Sequence, residues 1–272
     1  MEITGLTAYI IFFLTFTGIY AILSLGLNIQ WGFTGQINIG VAGFFAIGAY
    51  TAAIFTTKAT PMHLGGFGMP FLIGIAVVMV VSAILAFLIG IITLNLRTEY
   101  LAIATIGIAE IIRLVVKNEG WLTNGVRGIP AIPKPFADMI EGMDTLFFFI
   151  LVLIFVLITY LVAEKLFHSP WGRVLRAIRA NEEAVYAAGK NVLRFRVEAF
   201  VVGSVIMGVA GALYAHFTSF ISPSAFKPMY GTFLVWVMLI AGGSGNNRGA
   251  ILGAVVIWIV WSLTETLTGY LP

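Results

Sequence analysis

The chain contains no cysteine, which excludes disulfides, thiol nucleophiles and Cys-ligated metals while leaving the redox compartment open. Charge is scarce too. Only 10% of the 272 residues are Asp, Glu, Lys or Arg, against about a quarter in soluble domains, too few to cover a water-facing globule. Histidine is limited to His63, His168 and His216, scattered and without an HExxH pattern, so no metal site is expected. A GxxxxGK[ST] loop is absent, so the chain does not carry that ATP-binding device itself, and no cofactor is expected. A net charge of +3 gives no broad basic field, which argues against nucleic acid as a partner. The N-terminus lacks a basic leader region and its apolar run exceeds a signal-peptide core, so a retained first span is expected.

What remains is apolar. Hydrophobic residues make up 60% and the mean hydropathy is +1.02, values that place the chain among polytopic membrane proteins. About 20 apolar residues cross the hydrocarbon core as a helix. That rule predicts an all-α transmembrane bundle of about eight spans, near 6–29, 37–57, 70–95, 99–117, 145–167, 198–221, 230–243 and 249–269. The whole of 1–272 reads as one membrane domain, with 168–197 a cytoplasmic loop inside it. The seventh span is short and ends in Gly242-Gly243-Ser244-Gly245, which suggests a broken helix.

Orientation follows from the excess of Lys and Arg on cytoplasmic loops. The stretch His168–Arg196 holds Arg173, Arg176, Arg179, Lys190, Arg194 and Arg196, so it is placed inside, together with Arg97 and Arg248. Lys58, Lys117, Arg127, Lys134 and Lys227 then fall outside, diluted by Glu119, Asp138, Glu141 and Asp144, and both termini lie outside. The connector 118–144, with Pro130, Pro133 and Pro135, is the expected external loop. Its charged residues either keep it solvated or touch a protein outside. Glycines recur within spans at 35, 40, 43 and 48, at 203, 208 and 211, and at 249 and 253. Small residues let helix backbones approach closely. Such faces serve tight packing, or surfaces that slide.

The cytoplasmic loop carries its own folding signals. Asn181 can cap a helix, Glu182 and Glu183 then sit where the helix dipole favours negative charge, and Gly189 can supply the left-handed residue that ends it. A basic amphipathic stretch, Trp171–Ala180, precedes it. A helix of two turns is marginal in water and needs a surface to pack on.

Glu183-Ala184-Val185-x-x-x-Gly189 resembles the EAA loop of ABC-importer permeases, with Val185 where the second alanine would stand. The stretches 23–53, 96–115, 173–215 and 241–255 are similar to the branched-chain amino-acid permease family, and more to its M-type subunit than to its H-type. The chain is compact for that subunit, implying that an N-terminal helix of longer relatives is absent. The resemblance implies a multi-pass protein of the bacterial or archaeal cytoplasmic (inner) membrane, embedded in lipid. Its implied partners are a second permease in a heterodimer, two cytoplasmic ABC ATPases and an extracytoplasmic solute-binding protein. It also implies that Arg173, Arg176, Arg179, Asn181, Glu182, Glu183, Ala184 and Gly189 form the ATPase-coupling element.

Several polar residues fall within predicted spans. Glu110 and Arg113 lie three apart on one helical face. A lone mid-membrane charge costs roughly 2.5–3.5 kcal/mol on insertion scales, so this face is expected inside the protein, either as a structural pair or lining a wet path. Asn28, Gln30, Thr34, Gln36 and Asn38 cluster between the first two spans. They either satisfy unwound backbone or offer hydrogen bonds to a zwitterion. Thr105 is a weaker candidate for the path, because helix hydroxyls usually bond their own backbone. Trp31, Trp121 and Trp171 fit an interfacial aromatic belt.

Two further functional classes deserve weight. A stand-alone secondary transporter or channel for a small neutral solute would carry a free mid-membrane carboxylate. Glu110 alone qualifies, with Arg113 beside it. A membrane enzyme would need a nucleophile–base pair or a metal cluster, and neither is visible. Within the importer reading, urea and short amides are alternative substrates to branched-chain or similar apolar amino acids.

Overall fold

Apolar runs with no polar face to show to water form helices that bury one side against neighbours and leave the other to lipid. The computed structural model describes residues 5–61, 63–135 and 144–268. Its helices are α1 (Gly5–Leu27), α2 (Val41–Thr56), α3 (Phe71–Thr93), α4 (Thr98–Asn118), α5 (Gly120–Thr123), α6 (Asp144–His168), α7 (Pro170–Ala180), α8 (Glu182–Ala187), α9 (Val192–Thr218), α10 (Leu234–Gly242) and α11 (Asn247–Thr268). Asp138 and Glu141 of the external connector lie outside the described residues. Among the described residues there is no β-sheet, only the isolated bridges Lys58–Phe67 and Ile129–Ile221.

The eight expected spans are all helical, but they are not alike. Five helices are long and apolar enough to cross a membrane: Gly5–Phe33, Phe71–Thr93, Asp144–His168, Val192–Thr218 and Asn247–Thr264. Val41–Thr56 and Met229–Gly242 are apolar but shorter. The remaining one, α4, carries Glu99, Glu110, Arg113 and Lys117. Three boundaries differ from expectation. The first span runs on through a π-helical turn, Asn28–Phe33. The second starts at Val41 instead of 37, leaving 35–40 non-helical. The sixth starts at Val192, well before 198, because the Asn191 carboxamide oxygen caps it by accepting from the Arg194 amide at 3.0 Å.

Helix α9 is the centre, packed most extensively against α2, α3 and α1. Its glycines make this possible. A methyl group on Gly48 of α2 would land on the Gly208 carbonyl of α9, and one on Gly208 would meet Ser82 of α3. The glycine spacing noted in the sequence therefore serves backbone-to-backbone approach here. Phe200 is fully buried and meets Phe44 edge-on at 5.5 Å. By contrast α3 and α6 expose aliphatic surface, including Leu72, Val80, Ile84, Ile154 and Leu157, as lipid-facing helices do.

The basic loop lies at one end of this bundle. Helix α3 ends and α9 begins beside a shared depression lined by Ile91, Asn191 and Arg194. At the other end the segment after α5 folds onto the tip of α9, where His216 Nδ1 donates to the Pro133 carbonyl at 2.7 Å and Ile129 pairs with Ile221.

Candidate functional site

The loop 168–197 folds as two capped helices. Ser169 caps α7, its Oγ accepting from the Gly172 amide at 3.1 Å, with Pro170 at the first helical position, where its missing N–H costs nothing. Helix α7 buries Leu175 and Ile178 in a small core shared with Ile29, Phe33, Ala163, Val185 and Ala199. Asn181 ends α7 and caps α8, its side-chain oxygen accepting from the Ala184 amide at 3.0 Å. Gly189 has φ of +75°; its amide bonds to the Tyr186 carbonyl and the Lys190 amide reaches the Val185 carbonyl. That pair of bonds is a Schellman ending, which needs a left-handed residue there. The capping read from Asn181 and Gly189 is thus present.

The charged residues do more internal tethering than their spacing suggests. Glu182 pairs with Arg196 at 3.3 Å, and Arg196 is only 13% exposed. Trp171 donates to Glu198 at 2.9 Å, and Glu198 also accepts from Arg194 at 2.8 Å. Trp171 therefore clamps α7 to α9 and is not merely a belt residue. The Arg176 guanidinium lies 4.1 Å from the centre of the Phe167 ring. Arg179 donates to the Gly32 carbonyl and, at 3.3 Å, to Ser244 Oγ. Of the three arginines expected to face a soluble partner, Arg176 and Arg179 make contacts back onto the chain, while Arg173 and Arg179 are both exposed. Glu183 and Ala184 are exposed, as is Tyr186, at 75%. Tyr186 was not singled out from sequence, and its place on the outer face of a two-turn helix was the available signal.

The amide cluster lies where Arg179 points. Asn28 accepts from the Gly245 amide at 2.7 Å and donates to Asn247 at 2.9 Å; Asn247 in turn donates to Glu164 at 2.8 Å. Gln30 donates to the Phe200 carbonyl at 2.8 Å and to Ser204 at 3.0 Å, while its oxygen receives the Asn38 amide at 2.7 Å. Asn38 accepts from the Gly40 amide, and Gln36 donates to the Arg196 carbonyl at 3.0 Å. Thr105 Oγ1 accepts from the Ile39 amide at 3.0 Å. All five side chains are buried. These hydrogen bonds engage Asn28, Gln30, Gln36, Asn38 and Thr105 with the chain itself. They hold the irregular backbone around 28–40, because a peptide group in hydrocarbon must find its partner within the protein. The oxygen of Gln36 is buried without a partner among the described residues.

Glu110 and Arg113 do pair, through two hydrogen bonds, one of 2.8 Å. Their side chains, 40% and 21% exposed, sit on the flank of α4, since α4 buries only the stripe of Leu101, Thr105, Ala109 and Val116. Arg113, one turn on from Ala109, borders that stripe, and Glu110 lies further from it.

Beside the amide cluster runs an apolar groove of about 390 Å³. It is lined by Ile37 and Ile39 of the non-helical stretch, Ile106 of α4, and Pro228, Met229, Thr232, Phe233 and Trp236. A second π-helical turn, Met229–Phe233, forms its far wall. The indole N–H of Trp236 is taken by the Asn38 carbonyl at 3.0 Å, and the Thr232 hydroxyl accepts from the Ala42 amide at 3.0 Å.

Residues 9–272 match the family described as branched-chain amino acid transport system / permease component. The chain belongs to this family. It is 33% identical to the high-affinity branched-chain amino acid transport system permease protein LivM of Escherichia coli, over 94% of the chain and 64% of that protein. It is 30% identical to the probable LivM of Methanocaldococcus jannaschii, over 91% of the chain and 79% of the relative. It is 21% identical to LivH of E. coli, over 90% and 82%. The chain thus spans about two thirds of the length of the bacterial LivM proteins it matches. No solved structure matches it. Family and helices together make it a multi-pass membrane protein of this permease family.

Proposed function

We propose that this chain is the M-type permease subunit of an ATP-driven importer in the cytoplasmic membrane, carrying branched-chain or similar apolar amino acids. Energy enters through the capped pair α7–α8, which presents Arg173, Glu183, Ala184 and Tyr186 to a cytoplasmic ATPase. A second permease completes the path, and an extracytoplasmic binding protein delivers the substrate. The observation that carries this reading is the loop itself. A two-turn helix is stopped at both ends by side-chain and Schellman caps and tethered by Glu182–Arg196, the helix before it is clamped by Trp171–Glu198, and Glu183 and Tyr186 are still left exposed. A rigid, exposed, short helix at the basic end suits a docking element better than a passive connector does. The relatives supply the substrate class by name.

A stand-alone transporter is disfavoured because Glu110, its candidate ion-coupling carboxylate, is already neutralised by Arg113. The test is affinity purification of the tagged chain from native membranes in mild detergent. Co-purification of P-loop ATPases and a second permease, with the ATPases lost on Glu183→Lys, is the expected outcome. A chain that emerges alone and moves solute in liposomes without ATP would overturn the importer reading.

A further inference from the structure

We propose that the groove between residues 37–39, Ile106 and the turn 229–236 receives the aliphatic side chain of the transported amino acid. This rests on the importer reading and assigns it a place in the chain.

Several independent features converge on that groove. Helix α2 has 16 residues and the segment Met229–Gly242 has 14, so at 1.5 Å per residue they rise about 24 and 21 Å, less than the roughly 30 Å of hydrocarbon. Both short elements meet here, one through the non-helical stretch before α2 and the other through its π-helical turn. π-Helical turns are uncommon and concentrate at functional sites, and the two in this chain flank this region. Depth is fixed by the helices themselves. Trp236 lies six residues from the end of α10, and Ile106 eight residues from the start of α4, both roughly 9–12 Å inward of the basic end.

Irregular backbone at this depth occurs only where protein buries it or where it borders a wet cavity, never against lipid tails. Burial accounts for one side of the stretch 35–40. Gln36, Asn38 and Gly40 turn inward to the amide cluster, while Ile37 and Ile39 alternate with them and line the groove. Ile37 and Ile39 are only half-buried on the groove side, so the chain alone does not cover this stretch, and that side is assigned to a cavity open to solute rather than to lipid. The chemistry of that cavity follows from its walls. The Trp236 N–H is already taken by the Asn38 carbonyl and the Thr232 oxygen already accepts from the Ala42 amide, so the lining offers chiefly apolar contact. A volume of about 390 Å³ falls in the usual 300–1,000 Å³ range of small-molecule sites. A branched aliphatic side chain fits such walls, whereas a carboxylate side chain would be stripped of water there without a partner.

A chain without cysteine allows a direct test. Single variants Ile106→Cys and Phe233→Cys in the groove, and Ile84→Cys and Leu157→Cys on the lipid-facing helices, are exposed in native membranes to a charged, water-borne thiol reagent with and without leucine. The groove positions are expected to react, at least tenfold faster than the lipid-facing pair, and leucine but not glutamate is expected to slow them several-fold. Unreactive groove positions in variants that still take up leucine would overturn the proposal and leave the importer reading standing. Reaction that leucine does not slow would make the groove wet but not the substrate's, which also overturns it. Absence of leucine uptake by the unaltered chain with its co-purified ATPases would instead overturn the substrate assignment beneath it.

Discussion

Arg179 offers the sharpest perturbation, because it joins the loop to the part of the membrane domain that is least regular. Its guanidinium reaches the Gly32 carbonyl in the π-helical turn after α1 and Ser244 in the turn between α10 and α11. Both turns also meet at Asn28, which accepts from the Gly245 amide. Arg179→Met keeps the apolar stem and removes both donors. A hydrogen bond to a charged group contributes roughly 1.5–3 kcal/mol when sheltered, and a surface one far less. The Gly32 bond is partly buried and the Ser244 contact is exposed, so the loss is about 2 kcal/mol. At about 1.4 kcal/mol per decade this multiplies the population with α7 detached from the π-turn by about 30. Hydrogen exchange reads local opening directly. Amides of residues 31–36 and 243–247 should exchange about 30-fold faster in the variant, while those within α3 stay unchanged. In reconstituted transporter, ATP hydrolysis should persist with fewer solutes moved per ATP. Arg179→Lys, with a charge but no fork to span both turns, should fall between. Unchanged exchange together with unchanged coupling would refute the view that Arg179 transmits motion from the loop.

Gly189→Val forces a β-branched residue into the left-handed region, costing about 1–2 kcal/mol or more. The chain should insert normally yet couple hydrolysis to transport poorly, and full uptake would count against the docking helix. Asn28→Leu leaves the Gly245 amide unpaired, a cost of about 1–3 kcal/mol, and should lower the melting temperature in detergent measured by tryptophan fluorescence. An unaltered melt would show that this hub is not structural. Glu110→Gln breaks a pair that is half exposed and contributes about 0–1 kcal/mol. Leucine uptake should stay within twofold, and a tenfold loss would restore Glu110 to the path.

Local features were legible in the sequence and remote ones were not. Asn181 and Gly189 declare their roles through neighbours three or four residues away, and Glu110 with Arg113 through helical spacing. The helices themselves follow from apolar runs of sufficient length. Arg179 could not be placed that way, because its acceptor lies 147 residues earlier. A basic residue on a positive-inside loop reads as solvent-facing until the tertiary fold brings Gly32 beneath it. The amides near residue 30 were legible as a cluster, but their direction was not. Phe200, Ser204, Gly245 and Asn247, which decide it, come from two distant segments. The groove was invisible for the same reason: its walls come from 37–39, 106 and 228–236, and none of these stretches has a pattern that marks it.

The bonds of Asn28 also impose an order on biogenesis. Its two partners lie 217 and 219 residues further along the chain. At roughly 5–20 residues per second of synthesis, about 10–40 s pass between insertion of the first span and emergence of its last partner. Through that interval Asn28 has neither of these two partners. The arrival of α11 then closes Asn28, Asn247 and Glu164 in one step. A chain cut before residue 245 would lack both partners of Asn28 and leave Glu164 without the Asn247 amide.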